Sequence, residues 1–179
     1  MDAVELARQR AAALHDTAVA GGADPWNPID IVTAVATDRG LDVEPVEAGS
    51  PILAGGRAHF DPSDRAIRHE DAGDAFARAF LIGHELGHAT LGDDRAEHIA
   101  LEVDPARPAE AAPVGEDRVV DYSRRQRREV QMDLFGRELI LPRARARSLH
   151  LGGMTASQIA DRLGAPFDVV AMQLLDVLL

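Results

Sequence analysis

The stretch that most constrains this chain is 75–91, AFARAFLIGHELGHATL, and within it His84-Glu85-Leu86-Gly87-His88. Residues four apart lie one turn apart on the same side of a helix, so the two imidazoles can converge on one ion. Glu85, the next residue round, reaches the water bound to that ion. This H-E-x-x-H spacing is the one used in metal-assisted hydrolysis, with histidines as nitrogen ligands and the glutamate as general base. At this composition the five-residue pattern arises by chance in roughly 2% of chains this long, so its setting must carry part of the argument. Phe76, Ala79, Phe80 and Gly83 precede the histidines at helical spacing. That puts the motif in a buried helix, where two imidazoles without a shared task are costly. The competing reading is a pair of core histidines satisfied by ordinary hydrogen bonds.

A chain of 179 residues is expected to form one domain that buries roughly 70% of the surface its unfolded form exposes. Aromatic residues make up only 4%, so the core should be aliphatic and alanine-rich, which suits helices. The formal charge of −11 argues against a whole-protein attraction to nucleic acid or to anionic membrane. With no cysteine, disulfides and thiolate metal sites are excluded. The first ten residues, MDAVELARQR, are acidic and amphipathic, unlike a targeting segment, and no run is long enough to span a bilayer. A cytoplasmic protein without membrane partners is expected.

The other elements follow from periodicity and punctuation. Residues 2–20 carry apolar side chains at loose helical spacing, ended by Gly21-Gly22, and Asp24 to Pro28 make a turn in which Trp26 is read as a core plug. A second helix is expected over Ile29–Arg39, with Asn27 as N-cap, Pro28 at the first helical position and Gly40 as stop. Over 41–71 the period shortens. Leu41 to Val46, Ile52-Leu53 with Ala58–Phe60, and Ala66–His69 read as a small antiparallel sheet of about three strands preceding the motif helix. His59 and His69 fall on these strands and are read first as ordinary surface or edge histidines.

Residues 92–122, rich in Pro, Ala, Glu and Asp, have no sustained period and read as a loop over the site or a partly mobile one. His98 lies here, as a solvated loop histidine or a substrate contact. A strongly helical stretch follows at 123–141, capped by Ser123 and ended by Pro142, with Val130, Leu134, Phe135, Leu139 and Ile140 on its apolar face. Three short helices should complete the chain, over Arg143–His150, Thr155–Leu163 and Pro166–Leu178. The last two resemble a helix-turn-helix in outline. Neither is basic, so packing is expected rather than DNA reading.

A catalytic zinc site needs a third protein ligand and one open position. The 123–141 helix offers Glu129 and Asp133, four apart and so on one face. Glu129 can reach the ion if this helix packs across the first. Asp133, one turn on, can accept the far N–H of a liganding histidine and fix its tautomer. The bland alternative makes both surface charges that pair with Arg125, Arg128 or Arg137.

The motif His84–His88 followed by Glu129-Val130-Gln131-Met132-Asp133-Leu134-Phe135-Gly136-Arg137-Glu138-Leu139-Ile140-Leu141-Pro142 resembles the ImmA/IrrE family of metallopeptidases. That family carries HELGH on one helix and E-x-(Q/E)-A-(N/D)-x-F-A-x-x-L-L-x-P on the next. The resemblance covers roughly residues 25–145 and implies a mainly helical, zincin-like α+β fold. Carried over by position, His84, His88 and Glu129 are zinc ligands in the manner of gluzincins, Glu85 is the catalytic base and Asp133 supports a ligand. One Zn²⁺ per chain is implied, with Mn²⁺ able to substitute. Met132 and Gly136 stand where the family usually has alanine, and Gly92 where many members have histidine.

For activity, the resemblance implies cleavage of one peptide bond in a cytoplasmic regulator, typically a helix-turn-helix repressor in stress or phage control. Tyr122, His98 and His69 are the candidates for oxyanion or substrate contacts. The alternative is a metal-stabilised adaptor that acts by binding protein or nucleic acid, with little proteolysis. Arginine clusters at Arg124-Arg125, Arg127-Arg128 and Arg143-Arg145-Arg147 fit a docking patch for an acidic partner, and fit equally a solvated helix face.

Overall fold

A computed structural model describes residues 3–92 and 124–178. The expected cap at Ser123 and the candidate contacts His98 and Tyr122 lie outside the described residues. The element order is α1 (Ala3–Ala20), α2 (Pro28–Asp38), β1 (Asp42–Val46), β2 (Ala58–Asp61), β3 (Ala66–Glu70), α3 (Ala75–Leu91), α4 (Arg124–Ile140), α5 (Arg143–Leu151), α6 (Ala156–Leu163) and α7 (Phe167–Leu178). The protein is α+β and mainly helical, as expected. Among the described residues no helix is long and apolar enough to cross a membrane.

Capping chemistry sets the helix ends. The Asn27 side chain accepts the Asp30 N–H at the start of α2, with Pro28 in the first turn, and Gly40 leaves the helix at φ 63°. Asp74 accepts the Ala77 N–H at 2.7 Å to start α3, and Gly92 closes it in the left-handed region at φ 73°. Thr155 and Gln158 form a reciprocal capping box on α6.

The sheet differs from the expectation in one respect. β2 pairs antiparallel with β3, but β1 runs parallel to β3, and the order is β1-β3-β2. The cause lies at Ile52-Leu53, which the periodicity suggested as strand. Pro51–Leu53 form a single 3-10 turn, flanked by Gly49 and by Gly55-Gly56. A proline and a run of glycines cannot sustain a ladder there. The chain instead crosses over, lays down β2, and returns through β3 between the two strands already placed.

Val43, Ile67 and Phe60 align across the sheet on the face that packs toward α3. Beyond them lie Ile31, Val32 and Val35 of α2, Phe76, Phe80 and Leu86 of α3, and Phe135 and Leu139 of α4, all essentially inaccessible to solvent. Each such side chain contributes roughly 1.5–3 kcal/mol on burial. α3 therefore runs through the centre, between the sheet and the layer of α1 and α4. His15 of α1 is buried there too, with its Nδ1–H donated to the Leu139 carbonyl at 2.8 Å. Burial lowers its pKa and this bond only partly offsets the effect.

The C-terminal helices are fastened to α4 by a buried carboxylate. Glu138 accepts the Arg143 backbone N–H at 3.0 Å, which caps α5 where Pro142 cannot, and it meets Gln173 Nε2 at 3.2 Å. Burial raises its pKa against the pull of Arg143. Arg143 also pairs with Glu5 at 3.1 Å. Arg145 stacks on Trp26 with Arg162, at 4.5 and 4.2 Å from the ring centroid. Trp26 thus closes its turn half-buried, under two guanidiniums. Of the arginines at 143–147, only Arg147 is exposed; the other two tie elements together.

Candidate metal centre

The site is built where α3 crosses α4. A Cβ on Gly136 would lie 3.1 Å from the His84 backbone nitrogen, and one on Gly83 would lie 3.2 Å from Gly136 Cα. A Cβ on Gly87 would come within 2.9 Å of Met132 Sδ. The two backbones touch because neither helix carries a side chain at the crossing. Glycine inside a helix costs about 1 kcal/mol relative to alanine, and the close approach it permits brings ligands from both helices to one point.

At that point stand His84, His88 and Glu129, the group of described residues able to hold a metal ion. His84 Nε2 lies 3.3 Å from His88 Nε2 and 3.2 Å from Glu129 Oε2, and the third side, His88 Nε2 to Glu129 Oε2, is 3.8 Å. Tetrahedral zinc with bonds of about 2.0–2.1 Å separates its ligand atoms by about 3.4 Å. The three donors therefore already stand at the spacing such an ion requires. Both histidines are 5% exposed.

Asp133 does not join this triangle. Its Oδ1 lies 2.7 Å from His84 Nδ1, on the side of the ring away from Glu129. The carboxylate accepts Nδ1–H and turns the Nε2 lone pair toward the triangle. Asp133 is 4% exposed, so it is not the surface charge of the bland reading. Nor does Glu129 pair with Arg137; it faces the two imidazoles. Among the described residues His88 Nδ1, which is buried, has no hydrogen-bond partner.

The electrostatics favour positive charge at this point. Burial disfavours a charged His84, but hydrogen bonds to Asp133 and Glu129 override it and raise its pKa to about 10. Burial acts to raise the Glu129 pKa, and the hydrogen bonds to His84 and His88 reverse this and hold the carboxyl well below its ordinary range.

Glu85 leaves α3 on the sheet side. Its Oε2 accepts the backbone N–H of Phe60, on β2, at 2.9 Å. His69, expected at the surface or an edge, sits on the central strand and is 6% exposed, with Nδ1–H donated to the Glu70 carbonyl at 3.0 Å. That bond points along β3 and not to the triangle. Two features lay beyond the sequence reading. The glycines Gly83, Gly87 and Gly136 mark the crossing only once the two helices are known to pack together, and the Phe60 backbone donor has no side-chain signature. No protein-family model matches this chain, and none of the curated proteins matches it.

Proposed function

We propose that the chain is a zinc-dependent endopeptidase. The observation that carries the reading is the triangle of His84 Nε2, His88 Nε2 and Glu129 Oε2, at tetrahedral-zinc spacing and with Glu85 next in sequence to a ligand. The donor set of two imidazoles and one carboxylate suits Zn²⁺ with an open position, and Mn²⁺ can use the same donors. The ion, when bound, supplies Lewis acidity that lowers the pKa of a water and polarises a scissile carbonyl.

The remaining work belongs to side chains. Glu85 takes a proton from the attacking water and delivers it to the leaving amine, so one carboxylate serves both half-steps. Asp133 holds the His84 ring in the tautomer that presents Nε2. Glu129 places a negative charge against two imidazoles. The resemblance of HELGH and the Glu129–Pro142 stretch to the ImmA/IrrE peptidases supports the same reading. It suggests as substrate a cytoplasmic regulator such as a helix-turn-helix repressor. The adaptor alternative draws less support, because Arg143 and Arg145, offered as part of a docking patch, are engaged within the fold.

The test pairs metal analysis with a single substitution. Glu85→Gln should retain stoichiometric zinc and lose peptide hydrolysis, because an amide cannot take the water's proton. Full hydrolysis by that variant would remove Glu85 from the mechanism, and a wild type that binds zinc yet cleaves nothing would favour the adaptor.

A further inference from the structure

Among the described residues β2 is an edge strand, and one of its outward groups is already engaged. Glu70 N–H donates to the Arg57 carbonyl at 2.8 Å, so Arg57 and the alternate residues after it face β3, and the N–H of Phe60 points away from the sheet. Such a group on a free edge ordinarily binds water. Here it donates to Glu85 Oε2 at 2.9 Å. Among the described residues this is the only hydrogen bond to the Glu85 carboxylate. The Phe60 side chain, opposite Ile67 and packed against the core, pins the strand at the height where its N–H meets the helix.

We propose that the Phe60 backbone N–H is the positioning donor for Glu85: it occupies Oε2, fixes the carboxylate plane, and leaves Oε1 as the oxygen that accepts the proton. This rests on the reading of Glu85 as general base. A glutamate has three side-chain torsions, and a base free to sample them spends little time in the reactive geometry. The sheet, whose small size gives it little share of the core, thereby acquires a direct role in the chemistry. Because the donor is a main-chain group, side-chain substitution at 60 that preserves packing leaves it in place.

Two measurements test this. The first is amide hydrogen exchange in the zinc-loaded and metal-free protein, with no substrate. Phe60 N–H should be protected like a ladder amide, despite facing off the sheet. Glu85→Ala should lower that protection about tenfold or more while leaving Ile67 unchanged, and Glu85→Gln, which keeps an acceptor oxygen, should retain most of it. Exchange of Phe60 at the free-peptide rate in wild type, or indifference to Glu85→Ala, would overturn the proposal. The second replaces Phe60 with its α-hydroxy analogue, which turns this N–H into an ester oxygen and keeps the side chain. Zinc content should hold, and kcat for denatured β-casein should fall about tenfold with KM unchanged. A raised KM with unchanged kcat would assign the N–H to the substrate backbone instead and refute the positioning role. A wild type that shows the expected exchange pattern but cleaves neither casein nor any candidate repressor would overturn the catalytic role together with the peptidase reading, a failure distinguishable from loss of the contact itself.

Discussion

His84 Nδ1 and Asp133 Oδ1 stand 2.7 Å apart across the α3–α4 crossing, both buried. That one bond decides which nitrogen of the ring is free. With Nδ1–H committed to Asp133, Nε2 faces His88 and Glu129, and the ring cannot turn without breaking a buried hydrogen bond to a carboxylate.

The roles of the two α4 carboxylates separate on this geometry. His84→Ala and Glu129→Gln should each abolish stoichiometric zinc, since each removes a donor from the triangle. Asp133→Asn should keep the metal with affinity reduced about 10–100-fold. A zinc titration of the three variants side by side gives the order. Loss of metal in Asp133→Asn with a near-silent Glu129→Gln would invert the assignment.

The metal-free protein should have an unusual pH profile. His84 titrates at about 10 in the fold against 6.5 unfolded, so its stabilisation is complete below about 6.5 and disappears as pH rises toward 10. Glu129 is shifted the other way from 4.5. Its contribution is present above that value and is lost as pH falls through its depressed folded pKa. Urea midpoints of metal-free protein should therefore be lower at pH 9.5 than at pH 6. At pH 8 zinc must displace the His84 Nε2 proton, and calorimetry in buffers of different ionisation enthalpy should detect about one proton released. No proton release would mean His84 is neutral before metal arrives.

Trp26→Ala tests the separation of scaffold from site. It deletes the platform beneath Arg145 and Arg162 and opens the α1–α2 turn. A loss of about 2–3 kcal/mol is expected, below the cost at a fully buried tryptophan. Zinc affinity should be unchanged, because the two cations stacked on Trp26 lie on α5 and α6 and not on the helices that carry the triangle. Coupled loss of metal would show that the turn supports the centre.

Gly136→Ala tests the crossing. Alanine favours the helix by about 1 kcal/mol, but its methyl would press on the His84 backbone nitrogen. Net stability should change little, while zinc affinity should drop about tenfold as α4 carries Glu129 outward. An unchanged affinity would mean the helices yield without moving the ligand.

Much of this was legible in the chain itself. Asn27 and Gly40 marked the ends of α2 because capping is local chemistry between residues a few positions apart. The His84–His88 pair and the Glu129–Asp133 pair were legible for the same reason, each being one helical turn. What lay beyond reading were relations between distant segments. The parallel pairing of β1 with β3 depends on where the 51–53 turn sends the chain, and the periodicity of each strand is the same either way. Burial of His69 follows from β3 taking the central place in the sheet. The Phe60 donor is a backbone group, identical in every non-proline residue, and only its position on an outer edge distinguishes it.

The touching backbones at Gly83 and Gly136 also act as a ruler with one fixed end. There is no side chain left to remove, so substitution can push the ligand helices apart but cannot draw them closer. Ions with longer bonds than zinc ask for donors set wider, and any carbon added at the crossing moves the triangle toward them. If the triangle holds zinc as proposed, metal preference can drift in one direction without any change to His84, His88 or Glu129, and a survey of ions against Gly83 and Gly136 substitutions should trace that drift as a shift of affinity order from Zn²⁺ toward Mn²⁺.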